Sequence, residues 1–217
     1  MPSYRLLNRP LNNPYLMFDS DDVQVLQRQT VYSGFAQIEQ VELRHRLFED
    51  QTFSPPIRRE LVKRREAAGV FLYDSKQQQF ALIEQFRIGA IADPISPWQL
   101  EIVAGLIDDG ESATQTVIRE AFEEAGVQID NPQLIFSFYP SAGACNELFH
   151  LYVADTELSH TKQIFGVVDE AENIRLHVLK YDQLQTLLDH PHYLKNSPVI
   201  VALQWLSLRI QADNAVQ

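Results

Sequence analysis

Four glutamates stand at fixed offsets in the stretch GLIDDGESATQTVIREAFEEAGV, Gly105 to Val127: Glu111, Glu120, Glu123 and Glu124. On a helix of about 3.6 residues per turn, Glu120, Glu123 and Glu124 fall at i, i+3 and i+4 and share one patch. Like charges at that spacing repel by about a few tenths of a kcal/mol per pair. Crowding beside a buried face raises the cost unless a cation sits among them. Mg²⁺ takes hard oxygen ligands and keeps several waters, so a few carboxylates plus the phosphate oxygens of a substrate satisfy it. Two or more such ions can polarise a phosphoanhydride, offset its developing charge and activate a water. A solvated acidic face is the simpler reading of any one glutamate, whereas the set favours a metal site acting on phosphate. An EF-hand does not fit, because DDGE lacks the alternating Asp/Asn positions and the closing Glu of that loop.

The helix that carries these groups has readable ends. Ser112 can cap its first turn with Gln115 three residues on, and Gly126 suits the left-handed residue that stops it, so the spacing predicts a helix over 113–125. Ala113, Val117 and Ala121 share its apolar face. Before it, residues 23–66 alternate apolar and polar types and read as antiparallel strands, VQVLQRQTVYSGFAQIEQVELRHRLF followed by IRRELVKRR. AAGVFLYD and FALIEQFRI, joined by the polar turn SKQQQ, predict a buried hairpin, and SPWQLEIVAG one further strand leading into the acidic motif. QLIFSFYP, LFHLYVAD and IRLHVLK extend the sheet, and YDQLQTLLDH and PVIVALQWLSLRIQ predict two closing helices. Strands, one helix, strands and then helices point to a mixed α/β sandwich. The expected organisation is an N-terminal β element over 1–66 and a catalytic domain over 67–217.

Composition excludes several classes. A formal net charge of −11 argues against long nucleic acids as partners. Between Arg44 and Arg65 there are nevertheless seven Lys or Arg against three acids, a local basic patch that suits a small anion or, more simply, charged strands facing water. No run approaches the roughly 18 apolar residues of a membrane helix. The opening MPSYRLLNRPLNNPYL has no apolar run behind a basic end and reads as no secretory leader. Cys145 is the single cysteine, so no internal disulfide can form and a reducing, cytoplasmic setting is expected. The six histidines never fall as a close pair on one helix, which disfavours zinc.

With Gly105, Glu111, Arg119, Glu120, Ala121, Glu123, Glu124, Gly126 and Val127 in register, the stretch resembles the Nudix box without a departure. Outside it, SGF, RHRLF, IRRE, LIEQFRI, PW, EIVAG, VDEAENIR and VIVALQWL resemble, in the same order, segments of the bacterial ADP-ribose pyrophosphatases of that family. The resemblance implies the Nudix α/β/α sandwich with a mixed sheet. It also implies a homodimer whose N-terminal strands reach the partner, and hydrolysis of ADP-ribose to AMP and ribose 5-phosphate with two or three Mg²⁺ ions, Mn²⁺ being an alternative.

Carried over residue by residue, the resemblance makes Glu120, Glu124, Glu172 and the carbonyl of Ala104 metal ligands, with Glu123 a ligand or an outer acceptor. Glu170 would take the proton from the attacking water. Arg119 would orient or pair a carboxylate and not touch substrate, an ordinary surface ion pair being the simpler reading. Arg59, Glu60, Arg64 and Arg87 would contact substrate, since an Arg fork matches the paired oxygens of a diphosphate. Phe35, beside Ala36, would stack on adenine or else pack in the core, while Trp98 reads as packing. Leu106 would offer its backbone N–H, and Glu147 would accept from the terminal ribose beside the loop Ser141, Ala142 and Gly143. Relatives specific for ADP-ribose usually carry proline where this chain has Ala142, with Pro140 two residues earlier. Another nucleoside diphosphate sugar such as GDP-mannose is therefore the alternative substrate, and a nucleotide sensor without hydrolysis a more distant one.

Overall fold

The computed structural model describes residues 15–158, 163–166, 172–190 and 192–216. It divides into two compact units, one of Met1–Arg64 with Gly143–Cys145 and one of Arg65–Ala142 with Asn146–Gln217.

The first unit is an antiparallel three-stranded sheet of β1 (Val23–Ser33), β2 (Gln37–His45) and β3 (Ile57–Lys63), in that spatial order. Gly34, Phe35 and Ala36 turn the chain between β1 and β2, where the Gly34 N–H donates to the Ala36 carbonyl at 3.0 Å. Two of the seven cations of the basic patch are paired across these strands: Arg58 with Glu42 at 2.9 Å, and Lys63 with Glu39 at 3.3 Å. For those two side chains the simpler reading, charged strands facing water, is the observed one. Phe35 is not a core residue, because it sits at the hairpin turn and is 97% exposed.

The second unit holds β4 (Ala67–Asp74), β5 (Gln79–Phe86), β6 (Trp98–Glu101), β7 (Val103–Leu106), α1 (Ala113–Ala125), β8 (Gln133–Phe138), β9 (Phe149–Asp155), β10 (Ile164–Phe165), β11 (Ile174–Lys180), α2 (Leu184–Asp189) and α3 (Ser197–Val216). Its eight-stranded sheet runs β10-β11-β5-β4-β9-β8, with β6 added to β5 and β7 to β4. Among the described strands of this sheet only the β4 and β9 pair is parallel, so the sheet is mixed. Ala68, Val70, Ile83 and Ile174 pack with Val117 and Ala121 of α1, whereas Phe71, Phe80 and Leu151 pack with Val199, Leu203 and Leu206 of α3. That gives three layers, and each fully buried aliphatic side chain contributes about 1.5–3 kcal/mol relative to exposure. A charge placed at Val117, which is 0% exposed, would detach α1 from the sheet.

Helix α1 has the expected bounds. Gln115 Oε1 accepts from the Ser112 N–H at 2.9 Å, and Gly126 ends the helix at φ 66°, its N–H donating to the Phe122 carbonyl. The hairpin and the segment after it differ from expectation. β4 and β5 pair only at Tyr73↔Phe80 and Asp74↔Gln79 and then splay. Residues 98–106 fill the gap as two strands, β6 on β5 and β7 on β4, with buried Ile102 at the changeover. An unbroken apolar run cannot reveal that its partner changes midway, since pairing is set by distant residues. Trp98 is 53% exposed and packs edge-on against Phe86.

Candidate active site

The splay delivers β7 beneath the last turns of α1. Ala104 and Gly105 pair with Gly69 and Ala68 of β4, and the Ala104 N–H donates to Glu124 Oε2 at 2.9 Å. Glu124 is 2% exposed, a carboxylate sunk into the apolar side of its helix. Burial pushes its pKa well above the ordinary range; the Ala104 hydrogen bond opposes this, the charges of Glu120 and Glu172 add to it, and Arg87 lowers it. Glu120 is raised for the same first cause, with Arg119 opposing and Glu123 and Glu172 adding. Glu120 also explains the first glycine of the motif. A Cβ at Gly105 would lie 1.7 Å from Glu120 Oε1, so only glycine lets this carboxylate lie against the strand.

Arg119 is the internal cation of the acidic patch. Its Nε and Nη2 donate to the two Glu111 oxygens, both at 3.1 Å, and its Nη1 to Glu120 Oε1 at 2.7 Å and Glu123 Oε2 at 3.0 Å. These Arg119 hydrogen bonds, against burial, hold Glu111 down to about 2, helped by the Thr116 hydroxyl and the Asp108 N–H. Glu111 in turn raises the Arg119 guanidinium above its already high value. Repulsion among the glutamates is thus offset for Glu111, Glu120 and Glu123 by the chain itself. Glu124 has no hydrogen bond to Arg119, and its distinguishing state is burial.

Arg87, just past β5, is a second cation whose charge acts on Glu124. It meets Glu101 of β6 through Nε at 3.0 and 3.1 Å and through Nη2 at 2.7 Å. Burial lowers its pKa, and the Glu101 hydrogen bonds and charge more than reverse this; Glu124 and Glu172 also favour its charged form.

The structure therefore brings Ala104, Glu120, Glu123, Glu124, Glu172 and Arg87 into one electrostatic neighbourhood. Leu106 ends β7 opposite Ala67, Glu147 is half-buried just before β9, and Ser141 and Ala142 are exposed after β8. In the first unit, Glu60 pairs with Gln40 and Arg59 with Val41, the Arg59 Nη1 donating to the Arg58 carbonyl at 2.8 Å. Arg64 directly follows β3, Ala36 lies beside Phe35 in the hairpin turn, and Gly143 is exposed. Glu170 lies outside the described residues. Sequence reasoning missed Glu101, Asn196 and the pairing of Glu111 with Arg119; the signals available were an acid inside the apolar run QLEIVAG and an eight-residue spacing that spans about two turns.

Among the described residues no group of three or more His, Cys, Asp or Glu side chains is arranged to hold a metal ion as it stands. The chemistry present still fits Mg²⁺. Its donors are hard oxygens, the buried Glu124 carboxyl is crowded by Glu120 and Glu172, and an open geometry is what a cation completed by water and substrate oxygens needs.

The NUDIX domain family pattern matches residues 63–203. Over 94% of its length the chain is 37% identical to the ADP-ribose pyrophosphatase of Escherichia coli (strain K12), covering 96% of that protein. It is 29% identical to the GDP-mannose pyrophosphatase of Cronobacter sakazakii (strain ATCC BAA-894), over 70% of this chain and 78% of that one. A crystal structure described as an ADP compounds hydrolase superposes with a TM-score of 0.64 at 20% identity, over 88% of this chain and 96% of the other, and supports the fold. By fold, motif and sequence match alike, the chain belongs to the NUDIX domain family.

Proposed function

We propose that this chain is a Mg²⁺-dependent pyrophosphatase that hydrolyses ADP-ribose to AMP and ribose 5-phosphate. One observation carries the reading: Glu124, 2% exposed, is held by the Ala104 N–H at 2.9 Å with Glu120 and Glu172 close enough to raise it. A buried carboxylate in that state is costly unless a cation joins it when the site works. Likeness to an ADP-ribose pyrophosphatase covers more of the chain, at higher identity, than likeness to a GDP-mannose pyrophosphatase.

In this reading Glu120, Glu124, Glu172 and the Ala104 carbonyl hold Mg²⁺, or Mn²⁺ in its place, with Glu123 in the outer sphere. When bound, the two or three ions would neutralise charge developing on the phosphoanhydride and polarise it. Glu170 accepts the proton of the attacking water, which requires hydrogen-bond reach in the closed state. Arg119 keeps Glu120 and Glu123 oriented through its bond to Glu111. Arg87, Arg59 and Arg64 bind the diphosphate and Glu60 assists. Phe35 and Ala36 hold the adenine, whereas Leu106, Ser141, Ala142, Gly143 and Glu147 meet the terminal ribose.

The catalytic chain is taken to work as a cytoplasmic homodimer, its N-terminal element over 1–66 exchanged with the partner and residues 67–217 forming the catalytic domain. Support for an exchanged element comes from β1, on which Val23, Val25, Leu26, Val31 and Tyr32 are 43–56% exposed along one strand. Neither nucleic acid nor membrane is a partner in this reading; among the described residues no helix is long and apolar enough to cross a membrane.

Product analysis tests the assignment. ADP-ribose with Mg²⁺ should give AMP and ribose 5-phosphate, EDTA should abolish turnover, and GDP-mannose should be turned over less efficiently. Faster turnover of GDP-mannose would transfer the assignment to that substrate. Binding without product would leave a sensor.

A further inference from the structure

Glu101 is 5% exposed, and its carboxylate is filled by protein donors. Arg87 approaches it along one edge of the guanidinium, Nε to both oxygens at 3.0 and 3.1 Å and Nη2 to Oε2 at 2.7 Å. Asn196 Nδ2 donates to Oε1 at 3.1 Å and Gln85 Nε2 to Oε2 at 3.4 Å. Asn196 immediately precedes α3, and its carbonyl accepts the Ile200 N–H, so this one acid ties β5, β6 and the start of α3 together.

A buried strut would explain that much, but the state of Arg87 requires more. Its side chain remains 45% exposed despite the paired edge. Its charge is felt by Glu124 and Glu172, so an unpinned arginine would be drawn onto those carboxylates. A planar fork held along one edge has its remaining direction fixed, which is the requirement for binding a diphosphate oxygen at a set position.

We propose that Glu101 is a positioning residue, assisted by Asn196, which holds the Arg87 guanidinium off the acidic group and aims it at the diphosphate of the substrate. The proposal rests on the reading of Arg87 as a diphosphate-binding residue and adds what fixes it. Glu101 acts through Arg87 alone: it needs no contact with substrate, and its effect vanishes where Arg87 is absent.

That dependence defines the experiment: steady-state kinetics with ADP-ribose and Mg²⁺, and thermal unfolding, on Arg87→Ala, Glu101→Gln and the double variant. Glu101→Gln preserves shape but replaces one acceptor oxygen with an amide that opposes the Arg87 donors. It is expected to lower kcat/KM by about 10–100-fold, chiefly through KM, the range typical of lost orienting partners. In the Arg87→Ala background the same change should alter kcat/KM by less than about twofold, because the residues act as a unit. It should also raise Tm there, since it removes a buried charge left unpaired. Should Glu101→Gln fail to fold, Glu101→Asp keeps the charge but retracts it by one methylene and is expected to raise KM. An unchanged KM in Arg87→Ala would overturn the reading of Arg87, and the proposal with it. A raised KM in Arg87→Ala alongside a normal Glu101→Gln would overturn the positioning role alone. Equal losses from Glu101→Gln with and without Arg87 would mark Glu101 as a strut and overturn it as well.

Discussion

Replacing Glu124 by Gln should make the metal-free protein more stable while inactivating it. The side chain is 2% exposed, and Oε2 accepts the Ala104 N–H at 2.9 Å, a bond that the Gln carbonyl can keep. The substitution removes the charge that burial, Glu120 and Glu172 oppose. Relief of an incompletely compensated buried charge is worth on the order of 1–3 kcal/mol. At about 2–4 °C per kcal/mol for a chain of this size, Tm in EDTA should rise by about 2–12 °C. Because the folded-state pKa of Glu124 is raised above its ordinary 4.5, the folded protein takes up a proton that the unfolded chain does not. Its destabilising effect therefore begins as pH rises through about 4.5 and saturates above the folded-state pKa. The Tm gap between the two proteins should be closed in acid and open toward pH 8.

Mg²⁺ should reverse the order. A ligand at 100 times its dissociation constant stabilises the folded state by about 2.7 kcal/mol, and only the protein with a complete donor set gains it. Differential scanning fluorimetry of both proteins, in EDTA and in Mg²⁺ across pH 4.5 to 8, reads all of this in one plate. A variant less stable than wild type in EDTA at pH 8, or one that gains the same Mg²⁺ shift, would refute the argument. So would a kcat within about tenfold of wild type.

Other consequences are open to the same assays. Gly105→Ala would place a Cβ 1.7 Å from Glu120 Oε1, so Glu120 must move; activity or Mg²⁺ affinity should drop roughly 10–100-fold while circular dichroism is unchanged, and an unchanged Mg²⁺ titration would refute the contact. Arg119→Ala leaves Glu111, Glu120 and Glu123 without their shared cation and should cost about 1–3 kcal/mol in urea unfolding, with activity lost as well. Glu111, held at about 2 by Arg119, contributes stability that is present above pH 4.5 and lost as pH falls toward 2, so Glu111→Gln should flatten the acid limb of the unfolding profile. Equal acid limbs for the two proteins would count against it.

Local rules made α1 legible and long-range pairing hid its surroundings. Ser112, Gln115 and Gly126 mark the ends of the helix through contacts within a few residues, so the sequence alone is enough to bound it. The division of residues 98–106 between β5 and β4 depends on where those two strands stop pairing with each other, and the two-residue β10 is too short for a periodicity. The same divide runs through the site. Spacing on one helix places Glu120, Glu123 and Glu124 together, yet it treats them as equals. Their partners make them unequal: Arg119, beside them on the helix, clamps two of them together with Glu111, while the distant Ala104 on β7 receives the third in a buried position. Glu101 is the extreme case. Fourteen positions separate it from Arg87 and 95 from Asn196, and without the fold an acid in an apolar strand reads as an anomaly. An anomaly of that kind is informative in itself, since a charge persists inside an apolar run only where a partner from elsewhere meets it. In this chain that partner is Arg87, whose charge also acts on Glu124, so the break in the local pattern leads from β6 to the acidic group.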